Sequence, residues 1–220
     1  MPGFKPFFIP SKHGIVTMFK HCDHAAMEWY RLQRGGGNVT VKHMDTQTLE
    51  RDFDLTEIIN GVEVMGPSPF GRHQSISSNI YDLIRQHIKK TKTGKVFYSP
   101  LDVILKEGQQ RLQPDILFIR KENSAIMQDW IRGVPDMVCE IVSKGSHVKD
   151  TITKKDIYER YKVPEFWIVF PELETIEVFT IEEDRFKLFS AAEGEGMVKS
   201  KVIEGLEIDV REVFVDFSFE

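Results

Sequence analysis

The sequence predicts an α/β fold in which a mixed sheet is flanked by helices. Apolar residues recur at helical spacing through residues 71–90, which indicates an amphipathic helix. Two short apolar runs, Met137–Val142 and Phe166–Phe170, are typical of buried strands. The central order of helix, three strands, helix and strand favours helices packed on a sheet. Glycine-rich nucleotide-binding loops are missing from the sequence, which excludes the common dinucleotide and P-loop classes.

Predicted helices and strands follow one another along residues 61–170. A short strand at Gly61–Met65 precedes the helix over 71–90, whose inward face carries isoleucine and leucine at three- and four-residue spacing. Turn residues then separate the remaining elements. The predicted elements are strands at Lys95–Ser99, Leu101–Leu105 and Pro114–Ile119, a short helix around Ser124–Ile131, a strand at Met137–Val142, a helix at Asp150–Tyr161 and a strand at Phe166–Phe170.

The two ends of the chain differ from this centre. Alternating residues at Thr175–Thr180, Phe186–Phe189 and Val202–Ile208 predict an antiparallel C-terminal extension. Residues 1–50 lack sustained periodicity and are predicted to be a partly flexible N-terminal extension with a short helix around Ala25–Leu32. The main domain is therefore expected to span residues 51–220, with its core at about 71–170.

The charge of the chain is unevenly distributed. The 220 residues carry a net charge of -5, which excludes a uniformly basic binder of nucleic acid. Residues 71–113 carry +5, however, and residues 171–220 carry -9. Two cysteines are too few for a disulfide framework, and no apolar run is long enough to span a membrane. A cytoplasmic protein without membrane contact is expected.

Two carboxylates on predicted strands form a candidate metal site. Glu140 lies in an apolar strand, so it must meet a cation, stay protonated or face a cleft. A structural salt bridge to a core cation is the alternative. Asp115 opens another strand, and two neighbouring carboxylates suit Mg²⁺. Asp136 is too far along the strand from Glu140 to share an ion and is assigned to a turn.

The helix after Glu140 supplies a candidate cation. Lys154 shares one face with Asp150 and Tyr158, and its ammonium could stabilise negative charge during phosphoryl transfer. Alternatively, Lys154 pairs only with Asp150, and Tyr158 packs in the core. His73, on the inward face of the first helix, is a supporting candidate, as is Glu57, which is placed at a helix end.

These residues resemble the Uma-two family of restriction-endonuclease-like proteins in the PD-(D/E)xK nuclease superfamily. The resemblance covers roughly residues 53–181. The motifs that carry it are Glu57–Gly61, Met65–Pro69, His73, Pro114–Phe118, Gly133–Asp136, Glu140–Ser143, Asp150, Lys154, Tyr158 and Val163–Pro171. It implies a restriction-endonuclease-like core with a mixed central sheet flanked by helices, and a metal site at Asp115 and Glu140. In the superfamily a signature lysine lies two residues after the glutamate, and Val142 occupies that position here. The resemblance implies that Lys154, on the following helix, takes the place of this lysine.

The function expected from these residues is Mg²⁺-dependent cleavage of DNA by an endonuclease, with Mn²⁺ as the alternative ion. Asp115, Glu140 and the Ile141 carbonyl would hold the ion, and Lys154 would position water or stabilise charge. Contacts to phosphates are assigned to Arg72, Arg85, Lys89 and Lys90. The alternative is a non-catalytic nucleic-acid-binding or regulatory protein on a degenerate scaffold, which Val142 favours. A homodimer would suit double-strand cleavage.

Overall fold

The chain divides into two compact units, Met1–Asp54 and Leu55–Glu220. The computed structural model describes residues 6–11, 14–23, 26–35, 38–44, 56–65, 71–143 and 148–215, and it describes side chains for 56–65, 71–143 and 152–215. The division falls four residues beyond the boundary expected after residue 50. All of the candidate site residues therefore belong to the second unit.

The first unit contains a four-stranded antiparallel sheet. Its strands follow chain order: β1 (Pro6–Ser11), β2 (Gly14–Asp23), β3 (Ala26–Gly35) and β4 (Asn38–Met44). The predicted helix around Ala25–Leu32 is wrong, because this stretch belongs to β3. That strand pairs with β2 on one side and β4 on the other, and its adjacent Trp29 and Tyr30 favour a strand.

A six-stranded mixed sheet forms the centre of the second unit. Its order is β15-β14-β13-β12-β10-β7, and β12 with β13 is its one parallel pair among the described residues. The strands are β7 (Gly94–Tyr98), β10 (Ile116–Arg120), β12 (Met137–Ile141), β13 (Glu165–Phe170), β14 (Thr175–Glu182) and β15 (Arg185–Glu193). The expected mixed sheet is confirmed, and the acidic extension lengthens it beyond β13.

Two helices cover opposite faces of this sheet. Helix α1 (Gly71–Thr91) buries four isoleucines at positions 76, 80, 84 and 88 against one face. Helix α2 (Val148–Arg160) places Ile157 and Tyr158 in a separate buried cluster on the other face. Because successive residues of β10 and β12 point to alternate faces, each strand contributes to both clusters. As a result, both helices reach the neighbouring ends of β10 and β12.

A second, five-stranded sheet lies beside the predicted core. Its order is β11-β8-β9-β5-β6, and its strands are β5 (Thr56–Ile59), β6 (Val62–Met65), β8 (Val103–Lys106), β9 (Gln110–Leu112) and β11 (Ile131–Arg132). The predicted helix around Ser124–Ile131 is replaced by a 3₁₀ helix at Lys121–Ile126 and by β11. Glu57 lies in β5, so its placement at a helix end is wrong.

The C-terminal segment returns to α1. It contains β16 (Met197–Lys199), β17 (Glu207–Asp209) and the short helix α3 (Val210–Val213). The strand predicted at Val202–Ile208 is confined to its last residues, because the backbone amides of Lys201 and Val202 donate to the buried Glu165 carboxylate instead of a neighbouring strand. Among the described residues, no helix has the length and apolarity to cross a bilayer.

Candidate functional site

Asp115 and Glu140 face each other at the ends of two adjacent strands. Ile116 pairs with Cys139 in the antiparallel ladder of β10 and β12, which places the preceding Asp115 opposite Glu140. The Asp115 Oδ2 atom also accepts a hydrogen bond of 2.7 Å from the backbone amide of Ile141. The side chain of Asp115 is therefore hydrogen-bonded to β12, the strand that carries Glu140.

Glu140 is buried and held at both carboxylate oxygens. Tyr158 donates its hydroxyl to Oε1 at 2.6 Å, and Lys154 donates to Oε2 at 3.2 Å. Burial raises the pKa of Glu140 to about 7; the Lys154 ammonium opposes that rise, and the carboxylates of Asp115 and Glu57 add to it. The charged form of Glu140 is therefore favoured by Lys154 and Tyr158 and disfavoured by burial and by the two neighbouring carboxylates.

Lys154 links the two sheets through their carboxylates. Its Nζ lies 2.9 Å from Glu57 Oε1 on β5 and 3.2 Å from Glu140 Oε2 on β12. Burial alone would lower the Lys154 pKa, but Glu140 and Glu57 more than compensate and raise it above its ordinary value. The ammonium therefore stays charged at neutral pH. Tyr158 lies one turn further along the same face, as its spacing predicts.

Glu57 is anchored to the loop that leads into β10. Its Oε1 atom accepts a 2.7 Å hydrogen bond from the backbone amide of Gln113, two residues before Asp115. The side chain is buried, and its carboxylate is bound by the Gln113 amide and by Lys154 in place of water. Sequence reasoning placed Glu57 among the supporting residues, and the structure brings it into contact with Lys154.

His73 approaches the site from α1. Its Nε2 lies 3.3 Å from Asp115 Oδ2, and its buried Nδ1 has no hydrogen-bond partner among the described residues. Burial lowers the His73 pKa, but the Asp115 carboxylate, with smaller contributions from the Ile141 carbonyl and Glu140, leaves it raised. The geometry makes His73 a positioning group for Asp115.

Asp136 has a structural role outside this cluster. Asp136 accepts hydrogen bonds from the Arg120 amide and the Asn123 side chain, in agreement with its assignment to a turn. The side chain of Asp150 lies outside those described. Among the described residues, no group of three or more His, Cys, Asp and Glu side chains is arranged so that it could hold a metal ion by itself. Any ion here would rely on two carboxylates and backbone oxygen.

The four residues assigned to phosphate contacts separate around α1. Arg85 and Lys89 line a surface groove beside β7. Lys90 points about 100° away from Lys89 around the helix. Arg72 lies 3.7 Å from both Glu172 and Glu174. Local sequence patterns do not indicate which flank of α1 is open, because that depends on where the C-terminal segment packs.

Lys92 and Lys95 line the same groove and were missed as individual candidates. The only sequence signal that pointed to them was the +5 charge of residues 71–113. Their importance comes from the position of β7 at the end of the sheet, which periodicity does not reveal. Gln113 was also missed, because its contribution is a backbone amide.

The fold is nuclease-like. The chain is similar to the crystal structure of a "putative nuclease belonging to DUF820" from Anabaena variabilis, with a TM-score of 0.61 and 19% identity. The alignment covers 72% of this chain and 89% of that chain. At this identity the likeness shows the fold.

The chain belongs to the Uma2 family, described as "Putative restriction endonuclease", whose family model matches residues 26–211. The resemblance seen in the sequence is thereby confirmed, and the match reaches further toward the N-terminus than residues 53–181. A comparison with curated proteins finds no match.

Proposed function

We propose that the protein is a metal-dependent endonuclease that hydrolyses phosphodiester bonds in DNA. The observation that supports this best is the buried Lys154 ammonium between Glu57 and Glu140, beside the Asp115 that faces Glu140. A charged lysine among hard oxygen ligands is suited to phosphoryl transfer. Membership of the Uma2 family supports the same chemistry.

The donor set fits Mg²⁺, or Mn²⁺ in its place. Asp115, Glu140 and the Ile141 carbonyl offer the oxygen atoms that these ions prefer. Burial is the main cause of the raised pKa of Glu140, but the carboxylates of Asp115 and Glu57 also contribute, and an added cation would oppose their contribution. When bound, the ion would activate a water molecule and bind phosphate oxygens.

The protein's own groups would prepare this chemistry before DNA arrives. Tyr158 and Lys154 hold the two oxygens of Glu140, while the Ile141 amide and His73 hold Asp115. Lys154 would orient the attacking water or stabilise charge that develops on the phosphate. Preorganised charges in a buried site are effective because they need little rearrangement during reaction.

Arg85 and Lys89 would contact phosphates next to the cut, as Lys90 and Arg72 would on the other flank of α1. Arg72 would have to exchange its partners Glu172 and Glu174 for DNA. Cleavage of both strands of a duplex would use two copies of the chain.

Cleavage of supercoiled plasmid tests this function. Wild type should nick the plasmid with Mg²⁺ or Mn²⁺ and stop when a chelator is added. Asp115→Asn should reduce the rate at least about a hundredfold, because it removes a charged ligand while retaining an oxygen for the Ile141 amide. Asp136→Asn serves as a matched control outside the site. Equal rates for wild type and Asp115→Asn would contradict the proposal.

Metal affinity should depend on pH, because a proton competes with the ion for Glu140. With the Glu140 pKa raised to about 7, affinity for Mn²⁺ should reach a plateau above pH 7. Below pH 7 it should fall by about tenfold per unit. Calorimetry without DNA measures this profile. Glu140→Gln should lower the affinity and remove most of the slope; the same slope in both proteins would assign the proton elsewhere.

A non-catalytic binding protein is the second candidate. It is favoured by the same ion pairs, since Lys154 could simply neutralise Glu57 and Glu140 and join the two sheets. Val142, in the superfamily's lysine position, packs against the buried cluster beside α2. Metal-independent DNA binding by wild type, with no cleavage of any DNA tested, would favour this function.

A further inference from the structure

A groove between α1 and β7 combines positive charge with an apolar floor. It encloses about 330 Å³, and Tyr81 and Val96 contribute to its floor. Arg85, Lys89 and Lys92 from α1 and the end of that helix, with Lys95 from β7, surround it. All four cations are exposed, and acidic residues are absent from positions 85–98. Charge complementarity therefore favours a polyanion with an apolar or aromatic part.

Strand β7, which forms one wall of the groove, ends beside the candidate catalytic Asp115. Tyr98, at one end of β7, pairs with Ile116, and the Ser99 amide donates to the Asp115 carbonyl. Tyr81 contacts Tyr98 edge to face, with ring centroids 4.8 Å apart. From that aromatic pair the groove runs back toward Gly94, a distance of about 13 Å along the strand. A ligand in the groove would thus reach the site from one side.

We infer that this groove binds an unpaired stretch of nucleic acid next to the cleaved bond, with a base against Tyr81 and phosphates on the surrounding cations. This inference rests on the proposed function for its substrate. In a duplex the bases are stacked and cannot enter a recess, whereas single strands bind through aromatic platforms in basic grooves. Arg85 and Lys89 are separated by about 6 Å along the helix axis, which suits successive phosphates of an extended strand.

The hairpin of β14 and β15, with the acidic turn between them, lies on the other side of the sheet from β7 and argues for the direction in which the nucleic-acid strand runs. Residues 175–193, which include β14 and β15, carry five acidic and two basic side chains. A polyanion would be repelled there and attracted at β7. The bound nucleic-acid strand is therefore expected to leave the site along β7. The substrate class is then DNA with an unpaired region beside the cleaved bond.

Fluorescence anisotropy in chelator tests the groove without any cleavage. The probes are a labelled 12-nucleotide single strand in DNA and RNA form, and the DNA duplex of the same sequence. Wild type should bind the single strand about tenfold more tightly than the duplex. The ratio of DNA to RNA affinity identifies which sugar the groove accepts. Equal or tighter binding of the duplex would overturn the inference.

Matched variants separate the groove from general surface charge. Lys89→Gln should weaken single-strand binding severalfold and lower its salt slope by about one. Lys106→Gln, which removes the same charge at an exposed position of β8 outside the groove, should change it less than about twofold. Tyr98→Ala, at an exposed position, and Tyr81→Leu should each weaken binding by about tenfold. Equal losses for Lys89→Gln and Lys106→Gln, or no loss for both tyrosine variants, would reject the site.

Two further outcomes bear on the occupant. Displacement of the labelled strand by polyglutamate at matched charge would indicate an acidic-peptide groove and would overturn the inference. Asp115→Asn should retain single-strand binding while it loses cleavage. If wild type binds as expected but never cleaves, the proposed function fails and the groove stands; if it cleaves but shows no strand preference, only the groove fails.

Discussion

Lys154→Gln is expected to reduce DNA cleavage by about 100- to 1,000-fold. The substitution removes the buried ammonium that contacts Glu57 and Glu140, so charge developing on the phosphate would lose its nearest cation. Initial rates of plasmid nicking at saturating Mg²⁺ measure the loss. Lys155→Gln is the matched control, because that lysine lies over the Phe179 ring, 3.3 Å from its centroid, and belongs to another face of α2.

A loss of folding must be distinguished from this loss of chemistry. Lys154→Gln leaves Glu57 and Glu140 close together without their shared cation, which destabilises the folded state. The double variant Glu57→Gln, Lys154→Gln removes one of these negative charges as well, and circular dichroism reports whether it is folded. A folded double variant that cleaves at the wild-type rate would rule out a catalytic role for Lys154. A folded and inactive one is the expected result.

Glu165→Gln is expected to destabilise the second unit by about 3 kcal/mol. Glu165 is fully buried, and its carboxylate accepts hydrogen bonds from the Trp167 ring, the Ser200 hydroxyl and two backbone amides. An amide side chain would point its own donors at some of these donors. Thermal unfolding should show a fall in Tm of about 10 °C.

Glu193→Gln gives the control for this substitution. Glu193 lies at the exposed end of β15, so the same chemical change there should alter Tm by no more than about 1 °C. If Glu165→Gln unfolds at the wild-type temperature, the Glu165 hydrogen bonds do not hold the segment at residues 200–202 in place. Retained cleavage below the new Tm is expected, because Glu165 is outside the candidate site.

The predictable part of the fold is the part whose burial is visible in the sequence. Helix α1 buries an isoleucine at every fourth position from 76 to 88, and periodicity identified it; the continuous apolar run at Phe166–Phe170 identified β13. Residues 26–35 carry charged and aromatic side chains without such a pattern. Their strand depends on pairing with β2 and β4, which are contacts that a local pattern does not encode.

The candidate site was predictable for a similar reason, and to a similar extent. A glutamate inside an apolar strand and a lysine with a tyrosine four residues later are local features, and they led to Glu140, Lys154 and Tyr158. The contact between Lys154 and Glu57 joins two sheets across 97 positions of sequence. The salt-bridged pair of His73 and Asp115 likewise depends on how α1 packs. The residue patterns proposed these residues as members of one site, but they did not indicate which of them are in contact.

The uneven charge of the second unit has a consequence for the first encounter with DNA: four cations surround the groove beside β7, whereas residues 171–220 carry -9. An approaching polyanion would exert a torque on the second unit before contact, turning the β7 edge toward it and the acidic C-terminal segment away. Fewer collisions would then be wasted on unproductive orientations, and the association rate would exceed that of a protein with the same net charge spread evenly. This advantage would disappear at high salt, because the dissolved ions screen the charges on both sides of the sheet. A chain of net charge -5 can in this way capture a negatively charged partner.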